Sequence, residues 1–395
     1  MSSTSTNKPD PFHISLDQHL LESFVHGWTG CWKWLGNLES RVLRERIEAV
    51  PIDRPVYVAG LARSGSTILL EFLAAHPHVA THRYSDFPLI FTPWWSHELQ
   101  RKSPVKNAAP IERAHGDGIA ITPQSPEAME EPLWMAFFQD AHNPSCNQVM
   151  DETCASAAFE SFYADHLRKL LLIRGGRRYV SKGNYNVTRL AYLQKMFPDL
   201  RVVIPVRHPV HHIASLMKQQ RLFVKGETNH PRALAHMQRA GHFARGLDRR
   251  PINAGGGTAI ERLPELWAGG EEVRGWAAYW SHLYQFVMDD LQRRPGLRQA
   301  TSIVRFEDLC DDPHKALSGL LEHVQLDDEG LVDAFAPTIS APTYYRPDFS
   351  DEELAIIAEE TQEAASRFGY KDPVHLKSTD AESSSFAPAV TAPAR

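Results

Sequence analysis

A short apolar run that enters a helix through a glycine-containing loop constrains the fold of this chain more than any other feature. Residues 55–59 read Pro-Val-Tyr-Val-Ala, and the loop Gly60-Leu-Ala-Arg-Ser-Gly-Ser-Thr67 leads into a helix pattern that ends at Ala75. A run of this kind is typical of a buried parallel strand. Small residues let the backbone wrap round an anion, with the loop amides and the helix N-terminus pointing at it. The segment predicts a phosphate-binding loop.

The loop departs from the pattern of nucleoside triphosphatases at one position. It reads Gly-x4-Gly-Ser-Thr, with Ser66 where those enzymes have a lysine. They need that lysine for the β- and γ-phosphates, together with an acidic residue for Mg²⁺. Here the positive charge comes earlier, at Arg63, whose guanidinium can bind two oxygens of an anion without a metal. The phosphate-binding candidates are Arg63, Ser64, Gly65, Ser66 and Thr67.

Further strand and helix patterns alternate along the chain. Strands are expected at residues 178–181, 200–206 and 302–306, and helices at 159–173 and 187–197. Alternation of this kind indicates an α/β protein: a P-loop-like three-layer fold with a central parallel sheet flanked by helices.

A second signature follows the expected strand 200–206. Arg207 stands at the carboxyl end of that strand, where α/β sheets bind ligands, and Ser215 follows eight residues later in a helix that begins near Pro209. Together, the two signatures resemble the sulfotransferases that use PAPS (3′-phosphoadenosine 5′-phosphosulfate), especially the bacterial and tyrosylprotein-type branches. The phosphosulfate loop of that family, Pro-Arg-Ser-Gly-Thr-Thr, is close to residues 62–67.

The resemblance runs from about residue 55 to about residue 370 and implies a PAPS-dependent transfer of a sulfuryl group to a hydroxyl or amine acceptor. It implies that Arg207 and Ser215 bind the 3′-phosphate, although His208 stands where many relatives have aspartate. Residues 303–309 also resemble a family element of the nucleotide side, and Arg346 is a candidate nucleotide contact late in the chain. A nucleotide kinase or ATPase and a non-catalytic nucleotide-binding module remain as rivals.

The resemblance also suggests catalytic residues. Lys182 matches the lysine that stabilises the leaving phosphate in the tyrosylprotein-type enzymes, although Gly-Asn follows it here instead of Asp-Pro; its alternative is a solvated lysine at a strand end. For the base that takes the acceptor's proton, Asp86 is favoured, with a structural cap as its alternative. His115 is second, because an imidazole titrates near neutrality. A group of three acidic residues is third: Glu127, Glu130 and Glu131.

The remaining sequence suggests how the chain is organised. Residues 1–50 are expected to form an arm and a helix, 51–375 the sulfotransferase domain with an insertion or lid at 225–260, and 376–395 a disordered tail. The apolar face of the first helix is expected to pack on the domain, with a membrane surface or a homodimer contact as the alternative. Four residues mark that face: Trp28, Trp32, Trp34 and Leu35.

Charge and composition exclude several classes. A formal net charge of −6 argues against a nucleic-acid partner. Residues 201–250 are a basic exception, with ten Lys/Arg against two Asp/Glu. No metal is expected, since the histidines at 208, 211 and 212 lack a metal-binding pattern. Four scattered cysteines, no apolar signal sequence and no long apolar run favour a cytoplasmic enzyme without a transmembrane segment. The acceptor stays open between carbohydrate, lipid, peptide and small alcohol or phenol.

Overall fold

The computed structural model describes residues 10–102, 110–116, 119–256, 258–341 and 347–370. Its strands are β1 Val56–Ala59, β2 Val79–Ala80, β3 Ile111–Glu112, β4 Ala120–Ile121, β5 Arg178–Gly183, β6 Arg201–Val206 and β7 Thr301–Arg305. The helices of the first half are α1 Leu16–Gly27, α2 Thr29–Val42, α3 Arg44–Glu48, α4 Ser66–Ala74, α5 Pro93–Arg101, α6 Glu131–Phe137, α7 Ala157–Arg174 and α8 Leu190–Met196. Those of the second half are α9 Pro209–Asn229, α10 Pro231–Ala240, α11 Thr258–Ala268, α12 Glu272–Arg293, α13 Pro295–Gln299, α14 Phe306–Asp311, α15 Pro313–Val324, α16 Leu331–Phe335 and α17 Asp351–Arg367.

Five parallel strands form the central sheet in the order β2-β5-β1-β6-β7, and β3 and β4 form a separate antiparallel pair. Val58 of β1 aligns with Lys182 of β5 on one side and with Val203 of β6 on the other. Because the strands are parallel and in close register, the loops that follow them meet at one edge of the sheet. The predicted parallel sheet is confirmed.

Residues of β1 point alternately to two cores, as expected of a strand buried on both faces. Tyr57 and Ala59 face a large cluster that includes residues of α7, α8, α9 and α12. Val56 and Val58 face a second cluster, built with residues of α4, α14 and α15. The two layers of helices and the sheet between them make the predicted three-layer α/β fold.

The N-terminal region differs from the single packed helix that the sequence suggests. Three helices, α1 to α3, occupy it, with a break at Trp28, whose backbone leaves the helical conformation. Trp32 packs against the core, but Trp28 is 62% exposed and Trp34 is 57% exposed. The packing expectation therefore needs correction for these two tryptophans.

The segment 225–260 is more regular than an insertion. It holds the end of α9, all of α10 and the start of α11, and the loop between the last two contains buried side chains. Phe243, Ile252 and Ala254 belong to the larger core. The expectation of a segment outside the core therefore needs correction, because burial of these apolar side chains ties the segment to the sheet.

Candidate active site

The phosphate loop joins β1 to α4 and adopts a tight backbone that the sequence permits at two special positions. Gly65 has a φ of +102°, and a Cβ placed there would lie 2.7 Å from the Phe306 ring, so only glycine fits. Arg63 has a φ of +72°, in the left-handed region that a non-glycine residue enters only when its surroundings hold it. The N-terminal turn of α4 then follows at Ser66, which is buried.

The two nucleotide signatures predicted from the sequence are adjacent in the structure. Arg63 Nε donates to Ser215 Oγ of α9 over 3.1 Å. The guanidinium of Arg207 lies 4.8 Å from the centre of the Phe306 ring, the same ring that packs against Gly65. Both Arg207 and Ser215 are largely buried. The second signature therefore continues the surface that the phosphate loop begins.

Lys182, at the end of β5, reaches the same loop. Its Nζ donates to Thr67 Oγ1 over 3.2 Å and to Glu127 Oε1 over 2.9 Å. The Lys182 and Glu127 side chains are 11% and 6% exposed, which makes this a buried ion pair beside the loop. The lysine thus holds two partners: a hydroxyl of the loop and a carboxylate.

Two arginines that the sequence analysis did not single out complete the positive charge. Arg113 Nη1 donates to Thr67 Oγ1 over 3.4 Å, and Arg245 Nη2 donates to His115 Nε2 over 2.6 Å. Burial, together with the nearby charges of Arg63 and Arg113, lowers the pKa of Arg245 to about 10. Mutual repulsion among buried cations of this kind is relieved by a bound anion.

The same cluster sets the state of His115. Burial, and then the charge of Arg245, holds the pKa of His115 well below its ordinary value, so the ring is neutral near pH 7. Its Nε2 accepts the Arg245 hydrogen bond, which leaves the proton on Nδ1. The lone pair that a base would use is already engaged. One cavity brings these groups together, and its lining includes Arg63, Thr67, His115, Glu127, Glu131, Lys182 and Arg245.

Glu127 is held in this cavity because the segment 122–127 pairs with the segment 82–85 through backbone hydrogen bonds. Its backbone N–H donates to the His82 carbonyl over 3.1 Å, and Tyr84 Oη donates to Glu127 Oε2 over 2.5 Å. Burial opposes ionisation of the carboxyl, but the charge of Lys182 and the hydrogen bonds from the Ala128 backbone N–H and from Tyr84 together hold the pKa of Glu127 well below its ordinary value. Glu127 is therefore an ionised carboxylate next to a lysine and a phosphate loop.

Asp86 directly follows the paired segment 82–85, but its side chain contacts Arg174. Its Oδ1 accepts from Arg174 Nη2 over 2.6 Å, and its Oδ2 accepts from the Arg83 backbone N–H over 2.8 Å. Burial opposes its ionisation, but His82 and Arg174 outweigh it and hold the pKa of Asp86 well below its ordinary value. Asp86 is not among the side chains that line the cavity with Lys182. Its contacts are those of the structural cap.

The other predicted residues are placed as follows. Glu131 is paired with Arg189 over 2.9 Å, and Glu130 accepts hydrogen bonds from Tyr163 and Tyr179. Arg346 lies outside the described residues. Arg245 lies in the basic stretch 201–250, which is the one sequence signal that could have found it, and Arg113 lies two residues before His115.

Among the described residues, the structure shows neither a cluster of metal ligands nor a membrane-spanning helix. In residues 10–102, 110–116, 119–256, 258–341 and 347–370, no three His, Cys, Asp or Glu side chains are grouped so as to hold a metal ion. Across the same described ranges, no helix combines the length and the apolar character needed to cross a bilayer.

The parallel sheet, the loop between β1 and α4 and the cationic side chains round that loop define an α/β protein with a candidate anion site at the edge of the sheet. A family model described as "Sulfotransferase family" matches residues 55–250, about half of the chain. The chain belongs to the sulfotransferase family. The match spans both nucleotide signatures and all the cavity residues named above.

Solved structures of three bacterial sulfotransferases are similar to this chain. STF9 from Mycobacterium avium is 11% identical, with a TM-score of 0.48, over 84% of this chain and 82% of its own. STF1 from Mycobacterium tuberculosis is 14% identical, with a TM-score of 0.44, over 86% of each chain. A sulfotransferase from Alicyclobacillus acidocaldarius is 14% identical, with a TM-score of 0.36, over 81% of this chain and 98% of its own. No curated protein sequence matches the chain. The family assignment rests on the family model.

Proposed function

We propose that this protein transfers the sulfuryl group of PAPS to a hydroxyl or amine acceptor. The observation that carries the proposal is the meeting of Arg63, Lys182 and Arg245 with the Glu127 carboxylate in one cavity beside the phosphate loop. Sulfuryl transfer needs cations where negative charge develops and a base for the acceptor's proton. This cavity offers both within hydrogen-bond reach of each other.

The donor is proposed to lie across the two signatures. Its 5′-phosphosulfate would bind at the loop and the N-terminus of α4, near Arg63 and Lys182. Its 3′-phosphate would bind Arg207 and Ser215, which the Arg63–Ser215 hydrogen bond links directly to the loop. A nucleotide that carries phosphate at both positions fits this spacing of charge better than one that carries phosphates only at the 5′ position.

The proposed reaction is an in-line displacement at sulfur. The acceptor oxygen or nitrogen forms a bond to sulfur while the bond from sulfur to the bridging oxygen breaks. That oxygen keeps the electron pair and leaves on the 5′-phosphate, where Lys182 stabilises the charge. The acceptor's proton passes to Glu127. As Lys182 turns toward the donor, its hold on Glu127 weakens, which raises the proton affinity of the carboxylate when it is needed.

Glu127 replaces Asp86 as the proposed base for a geometric reason. Glu127 contacts Lys182, whereas Asp86 is held by Arg174 and by the Arg83 backbone. His115 stays as the second choice, because it lines the cavity while its Nε2 is occupied by Arg245.

The acceptor is proposed to bind through an apolar portion. A second cavity, of about 720 Å³, is lined in part by the apolar side chains of Phe12, Ile111 and Leu222. Charged side chains line it as well, among them Glu112, Lys225 and Arg113, whose guanidinium contacts Thr67 of the phosphate loop. A volume of this size suits a small organic molecule. Phenols, alcohols and lipid-like acceptors with an apolar body are therefore favoured over large polar carbohydrates.

No metal is part of this proposal, since Arg63 and Lys182 would supply the positive charge that Mg²⁺ supplies in kinases. We also propose a cytoplasmic location, because the four cysteines are thiols without disulfide partners, as suits a reducing compartment.

Calorimetry with the desulfated donor, 3′-phosphoadenosine 5′-phosphate (PAP), tests the donor site. PAP should bind much more tightly than AMP, which lacks the 3′-phosphate. Arg207→Ala should weaken PAP by about 1.5–3 kcal/mol, the range for a hydrogen bond to a charged group, and should leave AMP almost unchanged. Equal affinity of the wild-type protein for PAP and AMP would count against PAPS as the donor.

A further inference from the structure

A buried chain of hydrogen bonds runs from Trp280 through His212 to a backbone carbonyl of the phosphate loop. His212, in α9, places its Nε2 2.8 Å from the carbonyl oxygen of Ala62. On the other side of the ring, Trp280 Nε1 of α12 lies 3.1 Å from His212 Nδ1. Both His212 and Trp280 are completely buried.

The partners of His212 define its protonation without ambiguity. A carbonyl oxygen only accepts and an indole N–H only donates, so Nε2 carries the proton and Nδ1 accepts. The ring is the neutral Nε2–H tautomer. Burial lowers the pKa of His212 to about 3, which keeps the ring neutral across the physiological range.

The carbonyl that His212 holds precedes the most unusual residue of the loop. Arg63 follows Ala62 with a φ of +72°, and its side chain reaches Ser215. Because the peptide is planar, fixing the Ala62 carbonyl also fixes the direction of the Arg63 N–H, which points the opposite way. A left-handed arginine persists only where its surroundings determine it.

The outer end of the chain is itself anchored to the sheet. The Trp280 ring packs on Tyr284 with centroids 4.7 Å apart, and Tyr284 Oη donates to the Pro205 carbonyl of β6 over 3.2 Å. The indole is therefore a fixed donor, which selects one tautomer of His212 and orients its ring.

We propose that His212 and Trp280 are positioning residues, which hold the 62–63 peptide in the loop conformation that receives the 5′ group of the donor. This inference rests on the proposed function. It also gives a role to one of the three histidines near Pro209 that a metal hypothesis would otherwise claim.

Calorimetry with two ligands tests the proposal: PAP, and adenosine 3′-phosphate, which lacks the 5′ group. His212→Leu should weaken PAP about 10- to 100-fold, because a displaced 62–63 peptide would lose one loop hydrogen bond to the charged 5′-phosphate. It should leave adenosine 3′-phosphate within about threefold. His212→Gln keeps a donor near Nε2 and should restore most of the PAP affinity. Trp280→Phe should weaken PAP by a smaller factor, about three- to tenfold.

The matched control is His323→Leu. His323 Nε2 also lies close to backbone carbonyls, those of Val202 and Ala300. Val202 is near the N-terminal end of β6, whereas the site lies at the carboxyl ends of the strands. Its loss should lower the melting temperature and leave both affinities unchanged. Should His212→Leu fail to fold, Trp280→Phe decides, because wild-type PAP affinity in that variant overturns the proposal. Equal PAP affinity in wild type and a folded His212→Leu also overturns it, whereas a wild-type protein that does not bind PAP contradicts the proposed function instead.

Discussion

Replacing Glu127 with glutamine removes the proposed base while keeping the shape of the side chain. The amide keeps the shape and the hydrogen bond from Tyr84 but cannot take a proton. Loss of a general base lowers a rate by about 10²- to 10⁴-fold, so kcat should fall by that factor. PAP affinity should not fall, because Lys182 is released from its carboxylate.

The same change has a calculable effect on stability. The Lys182–Glu127 pair is 2.9 Å long, with side chains 11% and 6% exposed. Breaking a buried pair by removing one partner costs about 3–5 kcal/mol, because the remaining charge is left uncompensated. A bound anion compensates it, so PAP should stabilise Glu127→Gln more than the wild type, for which PAP at 100 times its Kd contributes about 2.7 kcal/mol.

Thermal melting with and without PAP, and turnover of PAPS with an acceptor found by screening, measure these effects. Glu130→Gln is the control. Glu130 accepts hydrogen bonds from Tyr163 and Tyr179 instead of Lys182, so this substitution should leave kcat unchanged. A folded Glu127→Gln enzyme with wild-type kcat would rule out Glu127 as the base. If His115→Ala then abolished turnover, His115 would be the base.

Three further predictions use other parts of the site. Asp86→Asn leaves the buried Arg174 without its carboxylate, so a denaturant titration should show a loss of about 3–5 kcal/mol of stability. The folded enzyme should keep its kcat, whereas a loss of 10²-fold or more would restore Asp86 as the base. Glu131 has a pKa of about 2 against an ordinary 4.5, because Arg189 and His142 outweigh its burial. The contribution of Glu131 to stability is therefore complete above pH 4.5 and is lost as the pH falls toward 2. In urea titrations, Glu131→Gln should have a lower free energy of unfolding at pH 7 and a weaker dependence of that free energy on pH between 4.5 and 2. An unchanged pH dependence would contradict this. Sulfuryl transfer should survive an excess of chelator, and activity that disappears and returns with Mg²⁺ would favour a kinase-like enzyme.

The fold and the phosphate loop were predictable because their signals are local. A β-branched and aromatic run, a loop of small residues and a helix pattern follow each other within twenty residues, and the register of parallel strands then brings the second signature to the same edge. The Arg63–Ser215 hydrogen bond is the physical result of that register.

The sequence left Glu127, the proposed base, as one of several candidates and did not single out Arg113 or Arg245, because their positions depend on how distant segments pair. The segment 81–88 pairs with residues 122–127 through backbone hydrogen bonds. The carboxylate that reaches Lys182 belongs to that second segment, while Asp86 turns toward Arg174. Arg245 follows α10 and enters the site through a tertiary contact with His115, for which one sequence carries no periodic signal.

The most direct test of the account is mass spectrometry of a panel of phenols, alcohols, amines and carbohydrates after incubation with PAPS and the wild-type protein in the presence of chelator. We predict a sulfuryl group on at least one acceptor with an apolar body, and its loss with Lys182→Ala. An unmodified panel with PAPS, together with Mg²⁺-dependent transfer of phosphate from ATP to the same acceptors, would contradict it.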